Sequence, residues 1–356
     1  SEHIYGDPDF NLTATSSSGL PVEYMSSNPL VATVTGGVIH INGAGNTVIT
    51  ALQPGNTNYN AALQVTQTLS VGRSSQTITF PPLPGAIYGG SDPVASATSS
   101  SGLPVSYSSS NPSVATVSGG SIVITGAGTA VITASQPGDA NYEPATEVQQ
   151  ILVVAKADQT ITFGPPAQVA YGAPDIDPSA VSTSGLTVSY TSSNTDVALI
   201  SGGMIHVLGA GSTIITAYQP GNENFNAAAQ VLQTLVVTKA DQNITFGAIP
   251  EHVFGDLPFN PSASSSSGLG LVYSSSNPSV ALVNGNLIQI TGAGTAIITA
   301  AQEGNSNYNA APSVNQTLTV RKASQTITFE QPEPRVYGDP DFNPGASASS
   351  GLPVSY

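Results

Sequence analysis

The chain has 356 residues, and its 21 acidic against 6 basic side chains give a net charge of −15 at pH 7. This charge argues against binding to nucleic acid or to anionic lipid, since phosphate contacts need basic patches. The lack of cysteine rules out disulfides, a thiol nucleophile and a cysteine-based zinc site, and no apolar run of about 18 residues predicts a membrane-spanning helix.

An internal repeat organises the chain. The segment Asn111–Ala134, NPSVATVSGGSIVITGAGTAVITA, returns as Asn28–Ala51, Asn194–Ala217 and Asn277–Ala300, each copy 83 residues after the last. A period of this length is typical of a small independent domain rather than of a solenoid unit. The sequence therefore predicts a tandem array of domains.

The period predicts where the repeats begin and end. The first lacks its first strand, and the fifth is only the front part of a unit, so the chain resembles a window on a longer array. The predicted ranges are 1–74 (first repeat), 75–157 (second), 158–240 (third), 241–323 (fourth) and 324–356 (fifth).

Short strands separated by turn residues are predicted along each unit. Valine, isoleucine, threonine and tyrosine suit pleated strands, and no window keeps the apolar face of a helix. The proline-rich passage PPLPG after the first strand predicts an edge or crossing segment, because proline cannot donate to a ladder. In the second repeat the predicted strands are Gln76–Phe80, Val94–Thr98, Val105–Ser109, Val114–Val117, Ser121–Ile124, Thr129–Ser135 and Val148–Val154.

This pattern predicts an all-β fold, a tandem array of immunoglobulin-like β-sandwiches that forms an extended rod. The hairpin turns at Gly119-Gly120, and Gly126–Gly128 makes a tight turn. Ile132 and Ala134 should face the core. From strand length we expect roughly 35–40 Å per domain and on the order of 150 Å for four.

The junctions between units are short and carry a recurring cation. Only about three residues can serve as linker, so adjacent domains should keep a nearly fixed angle. The cation bridges to a carboxylate of the adjoining domain or is a solubilising charge at a strand end. The residues concerned are Arg73, Lys156, Lys239 and Lys322.

The stretch Tyr107–Val117, with Gly126–Gly128 and Ile132–Ala134, resembles bacterial immunoglobulin-like domains of group 2. The front half of each unit, Gln-Thr-Ile-Thr-Phe followed by Tyr-Gly and Ser-Gly-Leu-Pro-Val, is similar to repeats of giant cell-surface adhesins, such as those of gliding bacteria. The resemblance implies an exported, surface-anchored filament whose repeats act as a stalk, and it brings no catalytic motif.

Aromatic rings keep the phase of the repeat, all but Tyr218. Such recurrence indicates core packing or corner tyrosines rather than a carbohydrate platform. The loop Asn141-Tyr142 has a phenylalanine, Phe225, at the equivalent place, so we expect its ring to cap the end of its own sandwich. Tyr142→Ala should then cost that domain about 3–5 kcal/mol.

Acidic pairs in the loops after Tyr5, Tyr171 and Tyr337 are either a Ca²⁺ site or ordinary turn residues. The pairs are Asp7 and Asp9, Asp175 and Asp177, and Asp339 and Asp341. His40 and His206 share one phase and indicate an exposed strand position. We assign no catalytic residue, no cofactor and no metal ligand.

The sequence thus predicts a structural stalk segment of an extracellular bacterial surface adhesin, serving adhesion or gliding without catalysis. The alternative is an array of weak carbohydrate- or ligand-binding modules acting through multivalency. The expected partners are the neighbouring repeats and a surface or polysaccharide ligand outside this segment. Neither nucleic acid nor membrane insertion is expected.

Overall fold

The computed structural model describes residues 2–356, and all secondary-structure elements in this range are β-strands. The prediction of an all-β tandem array of immunoglobulin-like sandwiches is confirmed. No helix in residues 2–356 is long and apolar enough to cross a membrane. Two compact units are present, with the division inside the third repeat: Ser1–Thr160, Ser182–Leu186 and Gln219–Ala229 form one, and Ile161–Val181, Thr187–Tyr218 and Gln230–Tyr356 form the other.

The second repeat shows the architecture. One layer is a four-stranded sheet whose spatial order is Ser106–Ser109, Gly128–Ser135, Val148–Ala155 and Ala86–Ile87. The first three strands pair antiparallel, and the short last one pairs parallel to the end of the third. The other layer holds the hairpin Ala115–Ser118 with Ser121–Ile124 and the pair Ile78–Thr79 with Thr98–Ser99.

The same sheet order recurs at the other periods. In the first repeat the strands are His3–Ile4, Phe10–Asn11, Glu23–Ser26, Ala32–Thr35, Val38–Ile41, Gly45–Leu52 and Val65–Gly72. In the third they are Ile161–Thr162, Val169–Ala170, Val181–Ser182, Ser189–Ser192, Ala198–Ser201, Met204–Val207, Gly211–Tyr218 and Val231–Thr238. In the fourth and fifth they are Ile244–Phe246, His252–Val253, Ala263–Ser265, Val272–Ser275, Ala281–Asn284, Leu287–Ile290, Gly294–Gln302, Ala311–Arg321, Ile327–Thr328 and Ser347–Ala348.

The core lies between the two layers. Along Gly128–Ser135 every second side chain is buried, as the pleat of a half-covered strand requires. Ile132 and Ala134 are fully buried, as predicted, and they pack in one cluster with Ile78 and Phe80 of the first strand. The hydroxyl of Tyr107 accepts the amide hydrogen of Ala97 at 2.8 Å, which is the expected corner tyrosine.

Three details of the predicted strands are corrected. Gln76–Phe80 shortens to Ile78–Thr79. Val94–Thr98 is not a strand, because Val94 makes one isolated bridge to Ser121 before the chain crosses to pair at Thr98–Ser99. The strand Ala86–Ile87, which follows the proline passage, was not predicted, since two residues are too few to show a period.

Candidate functional site

The junctions between repeats carry the most specific arrangement in the molecule. At three of them, those joining the first four repeats, an aromatic ring of the following repeat packs edge-on against a tyrosine of the preceding repeat. The centroid separation is 5.4 Å every time, with interplanar angles of 86°, 87° and 84°. This is the preferred edge-to-face geometry. The pairs are Tyr5 with Tyr142, Tyr88 with Phe225, and Tyr171 with Tyr308.

An asparagine beside that ring makes the second contact. The Asn141 side-chain oxygen accepts a hydrogen bond from the backbone amide of Ala44, 97 residues earlier, at 2.9 Å. The contact needs a glycine, because a Cβ at Gly43 would lie 2.7 Å from the Leu30 carbonyl oxygen and 3.1 Å from the asparagine oxygen. The same bond joins Asn224 to Ala127 at 2.8 Å and Asn307 to Ala210 at 2.9 Å.

The linker itself provides the third contact. The Ser74 amide donates to the Asn141 carbonyl, and the Glu143 amide donates to the Ser74 carbonyl, both at 2.9 Å. These bonds form a parallel bridge between Ser74 and Tyr142. Ala157 with Phe225, and Ala240 with Tyr308, repeat it. We call the three contacts together the junction clamp.

The loop that forms the clamp is held in shape by its own residues. The Asp139 carboxylate accepts hydrogen bonds from the amides of Asn141 at 2.8 Å and Tyr142 at 2.9 Å, which closes an Asx turn. Gly138 has a φ of 78°, and a Cβ there would lie 2.4 Å from the Tyr142 carbonyl oxygen. The backbone of this loop is therefore already fixed within its own repeat. Asn141 and Tyr142 can contact the preceding repeat without a change in the loop conformation.

Two of the four recurring cations, Lys156 and Lys239, contribute a hydrogen bond to the same junctions. The Lys156 ammonium donates to the backbone carbonyl of Asn222 at 2.7 Å, and Lys239 donates to that of Asn305 at 2.6 Å. Each bond reaches the adjoining repeat, yet the acceptor is a carbonyl rather than a carboxylate. Of the two alternatives left open for the cation, the carboxylate bridge does not describe Lys156 or Lys239, because the residue that closes the Asx turn offers its backbone carbonyl to the lysine.

The structure also corrects the interpretation of Tyr142. Its ring contacts the preceding repeat, so it does not simply cap its own sandwich. The rings at these phases that have no partner ring within residues 2–356 are more exposed than the paired ones, which are half-buried. Tyr59 is 54% exposed and Phe254 is 49% exposed. Tyr218, the ring outside the repeat phase, is half-buried at the end of its strand.

The two acids of the first pair, Asp7 and Asp9, bind different groups. Asp7 accepts the amide hydrogen of Ile4 at 2.9 Å, whereas Asp9 pairs with His40 at 2.5 Å. Asp175 pairs with His206 at 2.7 Å, so both histidines of that phase bind an acid of the loop. No cluster of three or more potential metal ligands occurs within residues 2–356.

The fourth repeat has a related turn at Asp256. Its carboxylate accepts the amide hydrogen of Val253 at 2.9 Å and lies 3.2 Å from the His252 ring. The hydrogen bond from Val253 lowers the pKa of Asp256, and His252 lowers it further. The role of the Asp256 carboxylate is thus to close this turn.

The asparagine contact was missed from the sequence. Its signal was present, since Asn followed by an aromatic residue recurs with the Gly-Ala-Gly turn at every complete period. Recurrence alone does not say that the two motifs touch, because the partners belong to different repeats.

The sequence matches no protein-family profile and no curated protein. Solved structures to which the chain shows some similarity include immunoglobulin domains 1–5 of Sidekick-1, at a TM-score of 0.32 and 16% identity, over 89% of this chain and 77% of that one. Drosophila N-cadherin EC1–4 matches at a TM-score of 0.24 and 15% identity, over 88% and 94%. Domains 1–6 of the surface layer protein SbsC match at 0.23 and 16%, over 85% and 49%. At these scores the matches identify no function.

Proposed function

We propose that the chain is a structural stalk segment of an extracellular adhesin filament at a bacterial cell surface, of the kind that serves adhesion or gliding. The observation that carries this proposal is the junction clamp, built three times from equivalent residues. A stalk has to hold its domains in a fixed relation, and the clamp does this with short contacts that need no cofactor. The proposal assigns no catalysis to the segment.

The linker contact explains why the junctions should be stiff. A free tether of a few residues would leave its backbone groups to water and would sample many conformations. Here Ser74 is hydrogen-bonded on both sides to the loop of the next repeat. The relation between neighbouring repeats then rests on a paired backbone, a side-chain amide and a ring contact together.

Aromatic side chains favour this role over the alternative of carbohydrate-binding modules. A sugar platform needs exposed rings. In the second, third and fourth repeats most of the recurring rings pair with one another at the junctions or pack near the core, as Phe80 and Tyr107 do at 5.8 Å. The surface and gliding role itself rests on the resemblance of the repeats to adhesin sequences.

Removing the asparagine contact from every junction tests the stiffness. In the full chain we combine Asn141→Ala, Asn224→Ala and Asn307→Ala, and measure the distribution of interatomic distances by small-angle scattering. The unsubstituted chain should reach on the order of 150 Å, given about 3.3 Å per strand residue. The variant should show a broader distribution and a shorter mean dimension, because each junction loses one of its contacts.

Asn58→Ala is the matched control, since Asn58 has the same phase but its side chain makes no hydrogen bond to another repeat within residues 2–356. It should leave the scattering unchanged. A compact unsubstituted chain, or a triple variant as stiff as the original, would contradict the proposal. In the parent protein, deletion of one 83-residue period should leave display and attachment intact, whereas loss of attachment with display retained would favour the binding-module alternative.

A further inference from the structure

The outer face of the four-stranded sheet in the second repeat carries an exposed row of apolar side chains. Ile151 is 63% exposed and Val153 is 54% exposed, whereas Leu152 between them is fully buried in the core. Val131 lies opposite Ile151 on the neighbouring strand, and Ile87, on the strand at the other side, is 55% exposed. We call these four outward side chains the apolar stripe.

The rest of this face carries no charge. In the second repeat, which the structure describes in full, its other outward side chains are Ser106, Ser108, Thr129, Thr133, Ser135, Gln149 and Ala155. The chain as a whole has a net charge of −15, so contact between two copies at most other places would bring like charges together, which is costly. At this face two copies can meet without that repulsion.

The centre of the stripe departs from the pattern of the repeats. The position of Ile151 holds a threonine in the first, third and fourth repeats, as Thr68, Thr234 and Thr317. Threonine is β-branched like isoleucine and suits an exposed strand as well, so strand formation does not require the isoleucine. An exposed apolar group found in one repeat only, within an apolar row, is typical of a contact surface.

The charges at the two ends of the central strand indicate what the surface contacts. Glu147 precedes the strand, Lys156 follows it, and both are exposed. The other three repeats also have a cation after the strand, but in place of the glutamate they have Gln64, Gln230 and Ser313. The midpoint between Glu147 and Lys156 falls at Ile151 and Leu152, in the middle of the stripe. The face is therefore complementary to itself under a two-fold rotation.

We propose that two copies of the chain pair through this face of their second repeats, sheet against sheet, with the central strands antiparallel about a two-fold axis. The two stripes then interdigitate at the spacing of about 10 Å that stacked sheets adopt. Glu147 of each copy lies beside Lys156 of the other copy. That ammonium donates to the Asn222 carbonyl and has two further hydrogens to donate.

Such a contact is isologous and closes at two copies. Its size predicts that it is weak: four strands about 4.8 Å apart and eight residues of about 3.3 Å each give at most roughly 500 Å² per copy. A total of about 1,000 Å² is at the lower limit for a specific interface. Pairing should therefore be reversible. The inference goes beyond the stalk role, since it assigns an interaction surface and its partner.

Sedimentation of the full chain as a function of concentration tests the pairing. We expect the mass to rise from one copy towards two and to stop there. Ile151→Thr should weaken association by about tenfold or more, because each pair loses hydrocarbon from two buried side chains. The variant should fold, since three other repeats have threonine at this position.

Ile297→Thr is the matched control. Ile297 is 46% exposed on the same face of the fourth repeat, where Thr317 lies opposite it. This variant should associate like the original chain. A chain that stays monomeric throughout, a mass that grows beyond two copies, or equal effects of Ile151→Thr and Ile297→Thr would overturn the proposal.

Glu147→Gln separates this pairing from non-specific association. The substitution removes one negative charge from a chain of net charge −15, so non-specific association would become stronger as repulsion falls. The proposal predicts weaker association, because Lys156 of the other copy loses its carboxylate. Stronger association of Glu147→Gln would contradict the antiparallel arrangement and, with it, the proposed pairing.

Discussion

The first and second repeats share one period and one sheet order, yet only the second has a closed core. In the second, one cluster extends from Ile78 and Phe80 across both layers. In the first, the buried cluster is reduced to Ala32, Ile39 and Ile49. The difference is one short strand, which pairs through few backbone bonds. In the second repeat this strand places Ile78 and Phe80 in the core and buries Gln76.

A second difference between these repeats lies in the loop that carries the aromatic ring. In the second repeat Tyr142 is half-buried against Tyr5 of the preceding repeat. In the first, the equivalent Tyr59 is 54% exposed. The loop has the same Asx turn in both, since Asn56 replaces Asp139 and accepts the amide of Tyr59 at 3.1 Å. The environment of the ring is therefore decided by the neighbouring repeat.

The largest expected loss of stability distinguishes the SQTITF segment of the second repeat from the identical segment of the fifth repeat. Phe80→Ala should destabilise the second repeat by about 3–5 kcal/mol, the usual cost of truncating a buried large ring. Phe329→Ala, at the same phase but 55% exposed in the fifth repeat, should change stability by less than about 0.5 kcal/mol. Hydrogen exchange of core amides in the full chain measures both. Equal costs would contradict the exposure of Phe329 in the structure.

A smaller effect is expected from the glutamine of the strand. Gln76 is buried and donates to the Gln136 side chain and to the Glu143 carbonyl, at 2.7 and 2.8 Å. Gln76→Ala should cost the second repeat about 1–3 kcal/mol, since both acceptors lose their partner in a buried place. Denaturant unfolding followed by exchange of the second-repeat amides measures the loss. Gln325→Ala, in the exposed copy, is the control, and a neutral Gln76→Ala would mean that water replaces the amide.

The smallest expected effect concerns the ring of the loop. The structure replaces the earlier expectation for Tyr142→Ala: the substitution should weaken the junction by about 0.5–1.5 kcal/mol, the range for an edge-to-face aromatic pair. The core of the second repeat should keep its stability. The change is measured as faster hydrogen exchange at the Ser74 amide, which donates to the loop at 2.9 Å.

Tyr59→Ala serves as the control for that measurement, because Tyr59 has no partner ring in the described residues. It should leave exchange at Ser74 unchanged. A loss of several kcal/mol in the second-repeat core on Tyr142→Ala would restore the view that this ring caps its own sandwich.

The sequence by itself determined the period, the fold class and most strands of each unit. The hairpin across Gly119-Gly120 and the buried side chains of Ile132 and Ala134 follow from local turn chemistry and from alternation, which act over a few residues. These features could be predicted because neighbouring residues along the chain decide them. The same holds for the phase of the aromatic rings, though not for their partners.

Only the tertiary structure decided which contacts the residues at those recurring positions make. Asn141 meets Ala44 across 97 residues, and Lys156 reaches the carbonyl of Asn222 across 66. A residue that recurs every 83 positions has the same pattern whether it packs in its own core or against the neighbouring repeat. The periodicity therefore cannot separate core from interface. The physical reason is that contacts between repeats depend on how folded surfaces meet, and that geometry is set by the paired linker and the Gly-Ala-Gly turn together.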